Sequence, residues 1–318
     1  MIHLLFLLWF LLPQGPNCGC EQKPEINVLA VVNGVKIARK DLSIDALTQV
    51  SLAQDTVIVA RSRQLQLKIN DLLLEAEAKH RGITTAKLIE IEVTSKVIPP
   101  TEADAKEVYE QSKYRAQQSF NSLKNNILAQ LKVEREAARA LQFADSLRAG
   151  AKIAVANQPV TPPTSEADLS RVFANVNGVN ITSSDIETSL LPLIFQVQQQ
   201  VYALRKRDVD LRINDLLLEQ EANRMGTTPQ ALLDQHVNTI VPIVPEERVR
   251  AYYNANKAQL NRDFSAARAM IMQYLMEQER QKVLLGYADQ LRKESVVQIY
   301  LTEPKPPTLR QLCCNLVD

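Results

Sequence analysis

The stretch that decides the fold is INDLLLEAEAKHRG at residues 69–82, because residues 213–226 repeat it as INDLLLEQEANRMG. Ten of the fourteen positions are identical, and the offset between the two stretches is 144 residues. The same offset relates Val-Asn-Gly at residues 32–34 to Val-Asn-Gly at residues 176–178. A single offset over more than a hundred residues predicts two copies of one folding unit, called repeat 1 and repeat 2 below.

Composition limits the classes of protein to which the chain can belong. Its 318 residues suit two domains of ordinary size. Charged residues make up 23% and apolar residues 46%, which is typical of a globular protein. The formal charge of +1 gives no electrostatic reason to expect a nucleic-acid partner. Only eight glycines occur, none of them in a phosphate-binding loop, and the abundant Ala, Leu, Gln and Glu favour helix.

The first twenty residues are typical of a secretory signal. Residues 2–12 are almost wholly apolar, and this run is too short to cross a bilayer core of about 30 Å. We therefore expect residues 1–20 to direct export to the periplasm or cell envelope, although no Lys or Arg precedes the apolar run. Lipidation of Cys18 or Cys20, which would attach the protein to a membrane as a lipoprotein, is an open alternative.

Domain boundaries follow from the repeat and from proline-rich stretches. We predict repeat 1 over residues 28–156, a linker over 157–168, repeat 2 over 172–301 and a tail over 302–318. Cys313 and Cys314 lie in this tail, outside both repeats, so no disulfide is expected in either core. The sequence assigns these two cysteines no role.

Each repeat opens with the pattern strand, Asn-Gly, strand. Asn-Gly supplies the positive φ angles that a tight two-residue turn requires, so a hairpin is predicted at both places. Helices follow, with apolar residues three and four apart. In repeat 1 they are predicted over residues 65–76, 102–113 and 120–144. In repeat 2 they are predicted over residues 211–218, 246–257 and 264–291.

The last helix of each repeat is the longest, and a short β-branched segment follows it. We expect these segments, residues 153–155 and 296–301, to return to the hairpin of their own repeat and close a small sheet. The predicted fold is therefore mainly α. It has two tandem helical modules, each with a small β-hairpin or sheet element and a long C-terminal helix.

Residues that could carry catalysis are scarce. His80 and His236 do not recur in the other repeat and form no metal-ligand pattern, and no nucleophile motif is present. We therefore expect no catalytic residue, no metal site and no cofactor. Asp71 and Glu75 lie on one helix face, as do Asp215 and Glu219 in repeat 2, and Asn70 or Asn214 precedes each pair. A polar contact that fixes helix packing is the favoured interpretation of this pattern.

Apolar surface is what remains as a functional feature, and it is concentrated in repeat 2. Methionine and aromatic side chains adapt to varied apolar partners, although each of these residues could instead belong to the core. The candidate residues for binding a client polypeptide are Phe195, Tyr202, Tyr252, Tyr253, Met270, Met272 and Met276.

Several motifs together resemble a known family. They are Val-Asn-Gly-Val-x-Ile, then INDLLLE-x-E-A with a following Gly, then a Pro-bearing break, then ERVRAYYNANK at residues 247–257. This combination resembles the N-terminal chaperone module of SurA- and PrsA-type proteins, over residues 28–155 and 172–301. The resemblance implies an exported foldase. In SurA-like proteins a parvulin domain carries the isomerase activity, but here each repeat continues into a long helix instead.

The predicted function is to hold unfolded or nascent exported polypeptides without ATP, with the two modules paired about an approximate two-fold axis. One alternative is a peptidyl-prolyl cis-trans isomerase, as the family resemblance implies. A second alternative is a scaffold protein with one dedicated partner. A third is a truncated relative of a larger oxidoreductase.

Overall fold

The computed structural model describes residues 28–112 and 118–315, with side chains as far as Leu312. The predicted export segment with Cys18 and Cys20 lies outside the described residues, as do the side chains of Cys313 and Cys314. The protein is 70% helical and 9% strand, with two small three-stranded sheets. The prediction of a mainly α fold is therefore confirmed.

The secondary-structure elements follow the same order in both repeats. Repeat 1 contains β1 (Val28–Val32), β2 (Val35–Ala38), α1 (Ile44–His80), α2 (Thr85–Glu92), α3 (Glu102–Gln111), α4 (Phe120–Ala149) and β3 (Ile153–Val155). Repeat 2 contains β4 (Val172–Val176), β5 (Val179–Thr182), α5 (Ser183–Met225), α6 (Pro229–Leu233), α7 (Glu246–Leu260), α8 (Phe264–Lys293) and β6 (Val297–Ile299). The short helix α9 (Leu309–Asn315) follows repeat 2. Helices α1 and α5 are far longer than the sequence patterns predicted.

The ends of the long first helices are set by glycine and threonine. Gly82 and Gly226 take φ angles of 68° and 66°, in the left-handed region that ends a helix. The hydroxyls of Thr84 and Thr228 then accept backbone N–H bonds at 3.2 Å and cap the next helix. The first long helix therefore ends, and the next one begins, at closely equivalent positions in both repeats.

Both hairpins turn on asparagine and glycine, as predicted. Asn33 and Gly34 have φ angles of 47° and 85°, and Asn177 and Gly178 have 51° and 90°. Two consecutive positive φ angles define the turn type that matches the twist of the flanking strands. β1 therefore pairs antiparallel with β2, and β4 pairs antiparallel with β5.

The third strand of each sheet comes from the other repeat. β6, at the end of repeat 2, pairs antiparallel with β1 of repeat 1. β3, at the end of repeat 1, pairs antiparallel with β4 of repeat 2. The strand orders are β2-β1-β6 and β3-β4-β5. The expectation that each strand returns to the hairpin of its own repeat is wrong.

The length of helix α1 explains the exchange. Near the end of α4, Arg148 Nε donates to Asn70 Oδ1 at 2.8 Å. Asn70 lies about seven turns, roughly 39 Å, beyond the start of α1, where the hairpin of repeat 1 is attached. The few residues from Arg148 to β3 span at most about 17 Å. β3 therefore cannot reach its own hairpin, and the matching Arg292–Asn214 bond at 2.8 Å places β6 under the same constraint.

Contacts divide the chain into two compact units that do not coincide with the repeats. Unit I comprises Asp55–Phe195 together with the chain from Pro306 onward. Unit II comprises the described residues up to Gln54 together with Gln196–Lys305. Unit I therefore contains the sheet β3-β4-β5, and unit II contains the sheet β2-β1-β6. Each unit is built from segments of both repeats.

The core of unit II shows this mixed origin. Its buried side chains come from the hairpin of repeat 1 and from α5 and α8 of repeat 2, and they include Leu29, Ala30, Val32, Ile37, Val209, Ile213, Leu217, Tyr287 and Leu291. Unit I has a separate cluster of Ala78, Leu88, Val93 and Phe143. Ile69 and Ile213, the first residues of the repeated motif, are both completely buried. Burying one such side chain contributes about 1.5–3 kcal/mol, so the motif is retained in both repeats for packing.

Among the described residues, two equivalent ion pairs join the last two helices of each repeat. The first, Glu102–Lys124 in repeat 1 and Glu246–Arg268 in repeat 2, has the same polarity in both. The second has its charges reversed. In repeat 1, Arg135 of α4 contacts Asp104 of α3 at 2.9 Å. At the equivalent positions of repeat 2, Glu279 of α8 contacts Arg248 of α7 at 2.8 Å. Both partners have changed sign together, so the contact is preserved while its polarity is not.

Candidate functional site

The described part of the chain offers no metal-binding group of three or more His, Cys, Asp or Glu residues. No described helix combines the length and the apolar character that a membrane span needs. His80 is largely exposed at the end of α1, and the His236 ring stacks on Tyr287 at 4.7 Å between centroids. His80 Nδ1 lies 3.9 Å from Glu77 Oε2 on the same helix, at an exposed position.

One charged pair is buried within residues 28–112 and 118–312, and its geometry is structural. In unit I, Arg61 Nε donates to Glu187 Oε1 at 2.6 Å, and Arg61 Nη2 donates to Glu187 Oε2 at 3.2 Å. The two side chains are only 2% and 1% exposed. Because the fork of the guanidinium matches the carboxylate, the charges neutralise each other inside the unit. The pair joins α1 of repeat 1 to α5 of repeat 2.

The repeated asparagines also have a structural role. Asn70 and Asn214 accept bonds from Arg148 and Arg292, which fixes the long last helix of each repeat against α1 or α5. The polar packing contact of this segment is therefore made by the asparagines and not by the acidic pairs that follow them. The four acidic residues near these asparagines are all exposed to solvent; they are Asp71, Glu75, Asp215 and Glu219.

The candidate client-binding residues fall into three classes of exposure. Tyr253 is buried in the core between α7 and α8, where its hydroxyl donates to the Arg262 carbonyl at 2.8 Å. Met270 and Met276 are exposed on α8. The half-buried residues are Phe195, Tyr202, Tyr252 and Met272. Phe195 belongs to unit I and the other six residues to unit II.

Three neighbouring side chains of unit II, from α7 and α8, make up what we call the tyrosine–methionine surface. Met270 and Tyr274 lie one turn apart on the same face of α8 and are 48% and 47% exposed. The ring of Tyr252, from α7, lies 5.4 Å from the ring of Tyr274. Gln278 Nε2 donates to the Tyr274 hydroxyl at 2.7 Å, which orients that ring. Tyr274 was not among the predicted candidates.

The other two methionines of α8 do not join this surface. Met272 packs against the core shared by α7 and α8. Met276 is about 120° around the helix from Met270, because each residue advances a helix by about 100°. The sequence pattern therefore grouped residues of α8 that point in different directions.

Repeat 1 lacks the tyrosine–methionine surface. The positions equivalent to Met270 and Tyr274 are Asn126 and Gln130, both exposed on α4. The position equivalent to Met276 is Lys132. The polar side chains of repeat 1 show that this helix packs without apolar residues at these positions. Polar side chains are therefore accommodated at these positions in repeat 1.

Sequence reasoning missed other exposed apolar residues. Ile243, in the proline-bounded segment before α7, is 92% exposed. On α1, the exposed residues include Ile44, Leu52, Ile58 and Val59. These four lie before residue 65, where the predicted helix began. A helix predicted over the full length of α1 would have included these four residues.

A small polar pocket lies in unit II beside the first hairpin turn. Its volume is about 180 Å³, and its lining includes Asn33, Gln220, Glu221 and Glu294. Ligand pockets usually measure about 300–1,000 Å³, so this pocket is too small for a polypeptide segment. The bond from Arg224 to Glu221, at 2.6 Å, lowers the pKa of the Glu221 carboxyl. That carboxylate is already satisfied by the arginine.

Comparison of the chain with protein-family models, with curated proteins and with solved structures finds no match. Any assignment of function therefore depends on the chain's own residues. Among the described residues, the tyrosine–methionine surface is the feature best suited to contact another molecule, because Met270 and Tyr274 are apolar and about half exposed and lie beside a second tyrosine.

Proposed function

We propose that this protein is an ATP-independent holdase that binds apolar segments of unfolded polypeptides at the tyrosine–methionine surface. The observation that carries the proposal is the exposure of Met270 and Tyr274 where repeat 1 has Asn126 and Gln130. Exposed apolar patches mark interaction sites, and methionine adapts its shape to different partners. Tyrosine adds apolar area with a hydroxyl that tolerates water.

The size of the surface favours weak and transient binding. Burying a methionine or aromatic side chain contributes about 1.5–3 kcal/mol, so three such residues contribute less than about 10 kcal/mol. Association itself costs about 4–15 kcal/mol, so one short segment binds weakly. A long unfolded client offers many apolar segments in succession, which raises the effective concentration at the surface. This behaviour suits a holdase better than a scaffold with one dedicated partner.

Family and location are part of the same proposal. The two repeats are proposed to be SurA-N-like modules, on the motifs that open each repeat and on ERVRAYYNANK at residues 247–257. Their exchanged strands make the pair an intramolecular counterpart of a dimer of one module. The apolar run at residues 2–12 supports export to the periplasm or cell envelope. Cys18 or Cys20 would then be available for lipid attachment.

We expect the protein, without ATP, to suppress aggregation of a denatured outer-membrane protein at a near-stoichiometric ratio. The variant Met270→Asn/Tyr274→Gln, which carries the residues of repeat 1, should need a several-fold higher concentration for the same effect. Loss of the apolar surface weakens client contact, while packing is kept because repeat 1 already uses these residues. Light scattering after dilution of the denatured client measures both results.

The matched control is Met276→Lys, which also replaces an exposed methionine of α8 by the residue of repeat 1. This variant should suppress aggregation as well as the unmodified protein. Equal suppression by the double variant and the unmodified protein would remove the tyrosine–methionine surface from the proposal. No suppression by the unmodified protein at several-fold excess would remove the holdase function. A proline-isomerisation assay on the same preparation should give the uncatalysed rate.

A further inference from the structure

The two hairpin turns have the same local sequence. Both read Val-Asn-Gly-Val, at residues 32–35 and at residues 176–179. Asn-Gly is chemically the most labile asparagine dipeptide, because glycine has no side chain to hinder attack by its backbone nitrogen on the asparagine side chain. Identical neighbours give the two asparagines the same intrinsic reactivity. Any difference in the folded protein must come from the surrounding structure.

The amide of Asn33 is held on both sides. Its Nδ2 donates to Gln220 Oε1 at 2.8 Å and to Ser295 Oγ at 3.3 Å. Its Oδ1 accepts the backbone N–H of Val296 at 2.8 Å. These three bonds fix the side-chain plane, and the amide must break them before its carbon can approach the nitrogen of Gly34.

The amide of Asn177 is held on one side. Its Oδ1 accepts the backbone N–H of Lys152 at 2.9 Å, which matches the Asn33–Val296 bond. The residues equivalent to Gln220 and Ser295 are Ala76 and Ala151, whose side chains have no acceptor. Within the described part of the chain, no acceptor reaches Nδ2 of Asn177.

One further contact slows reaction at Asn177 rather than at Asn33. The N–H of Gly178 donates to Asn175 Oδ1 at 3.0 Å, whereas repeat 1 has Val31 at the position of Asn175. Reaction at Asn177 therefore breaks two hydrogen bonds, one on the side chain and one on the attacking nitrogen. Reaction at Asn33 breaks three, two of them on the departing amide nitrogen. We infer that Asn177 is a site of spontaneous deamidation in the folded protein and that Asn33 is protected.

The chemistry needs only water. The Gly178 nitrogen loses its proton and forms a bond to Cγ of Asn177. The bond from Cγ to Nδ2 breaks, and the amide nitrogen leaves as ammonia with the proton given up by glycine. Water then opens the five-membered imide at either carbonyl, which yields aspartate or isoaspartate.

The product would change the sheet of unit I. Isoaspartate adds a methylene to the backbone of the turn, which no longer matches the two-residue geometry that Asn177 and Gly178 adopt. The bond that fixes Lys152, immediately before β3, depends on that geometry. Deamidation would therefore weaken the pairing of β3 with β4 and leave the sheet of unit II intact.

The test incubates the folded protein at mildly alkaline pH and follows both turns by mass spectrometry of proteolytic peptides. We expect Asn177 to convert several-fold faster than Asn33 in the same sample. In denaturant the two asparagines should convert at equal rates, because their neighbours are identical. The variant Gln220→Ala/Ser295→Ala, which gives the first turn the surroundings of the second, should accelerate Asn33 several-fold.

Circular dichroism before and after incubation verifies that the variant is folded. Conversion of Asn33 as fast as Asn177 in the folded protein would overturn the inference. An unchanged Asn33 rate in the folded double variant would overturn the assigned role of Gln220 and Ser295. None of these measurements depends on binding of a polypeptide.

Discussion

Cutting the chain between Asn157 and Gln158 should leave two fragments that remain bound to each other. Both residues are exposed and lie between the repeats, so an inserted protease site there is accessible. Each sheet takes strands from both fragments, because β1 pairs with β6 and β3 pairs with β4. In unit II, Asp208 also accepts bonds from the backbone N–H and the hydroxyl of Ser43, both at 2.7 Å.

Size-exclusion chromatography of the cut protein measures the effect, with the uncut protein as the reference. We expect one peak at the position of the uncut protein under native conditions, and two fragments only in denaturant. The buried side chains of Leu29, Val32 and Ile37 in unit II are covered by residues of the other fragment, so separation would expose them to water. Two separate folded fragments under native conditions would show that the repeats fold independently.

Replacing Arg61 with Met should lower the free energy of unfolding by about 3–5 kcal/mol, because the substitution leaves Glu187 buried without its partner. The Glu187 side chain is only 1% exposed and would have to carry its charge in an apolar interior or lose it. Replacing both residues, as Arg61→Met/Glu187→Leu, should recover most of the loss. Chemical denaturation of the three proteins measures the difference.

An exposed pair supplies the control. Lys87 and Glu90 lie 2.7 Å apart with more than half of each side chain exposed. Replacing Lys87 with Met should cost less than about 1 kcal/mol, because solvent screens such pairs. A loss at Arg61 as small as the loss at Lys87 would mean that the buried pair does not hold α1 and α5 together.

Local signals predicted the parts of the fold that local chemistry decides. Asn33 and Gly34 determine a turn through their positive φ angles, and Gly82 ends α1 in the same way. Thr84 caps the next helix through a hydroxyl three residues before its bonded N–H. The hairpin turn, the helix end and the helix cap each depend on residues only a few positions apart, so the local sequence is enough to predict them.

The exchange of strands could not be predicted in this way. Both hairpins present the same Val-Asn-Gly-Val turn, so β3 has no local reason to prefer β4 over β1. The choice depends on the length of α1 and on where Arg148 meets Asn70 along it. Pro192 lies inside α5, although proline normally interrupts a helix. A local pattern therefore does not predict the length of α5 either.

The exposure of the candidate residues also depends on packing that a local pattern does not contain. Met270 is exposed and Tyr253 is buried, although both belong to an apolar cluster in sequence. Which of them reaches solvent depends on the line along which α7 crosses α8. Tyr274 joins the surface because its ring meets that of Tyr252 across this line. Periodicity identifies the buried stripe of a helix but not the residues at its border.

The reversed ion pairs give the helix pairs α3–α4 and α7–α8 different charge patterns, although each repeat contributes a strand to the sheet of the other. If α3 were to pair with α8, Asp104 would face Glu279, and α7 beside α4 would set Arg248 against Arg135. Like charges brought together in this way oppose the wrong assembly. The other ion pair between these helices, Glu102–Lys124 in repeat 1 and Glu246–Arg268 in repeat 2, has the same polarity in both, so the single reversed pair is the charge difference that disfavours an exchange of these helices.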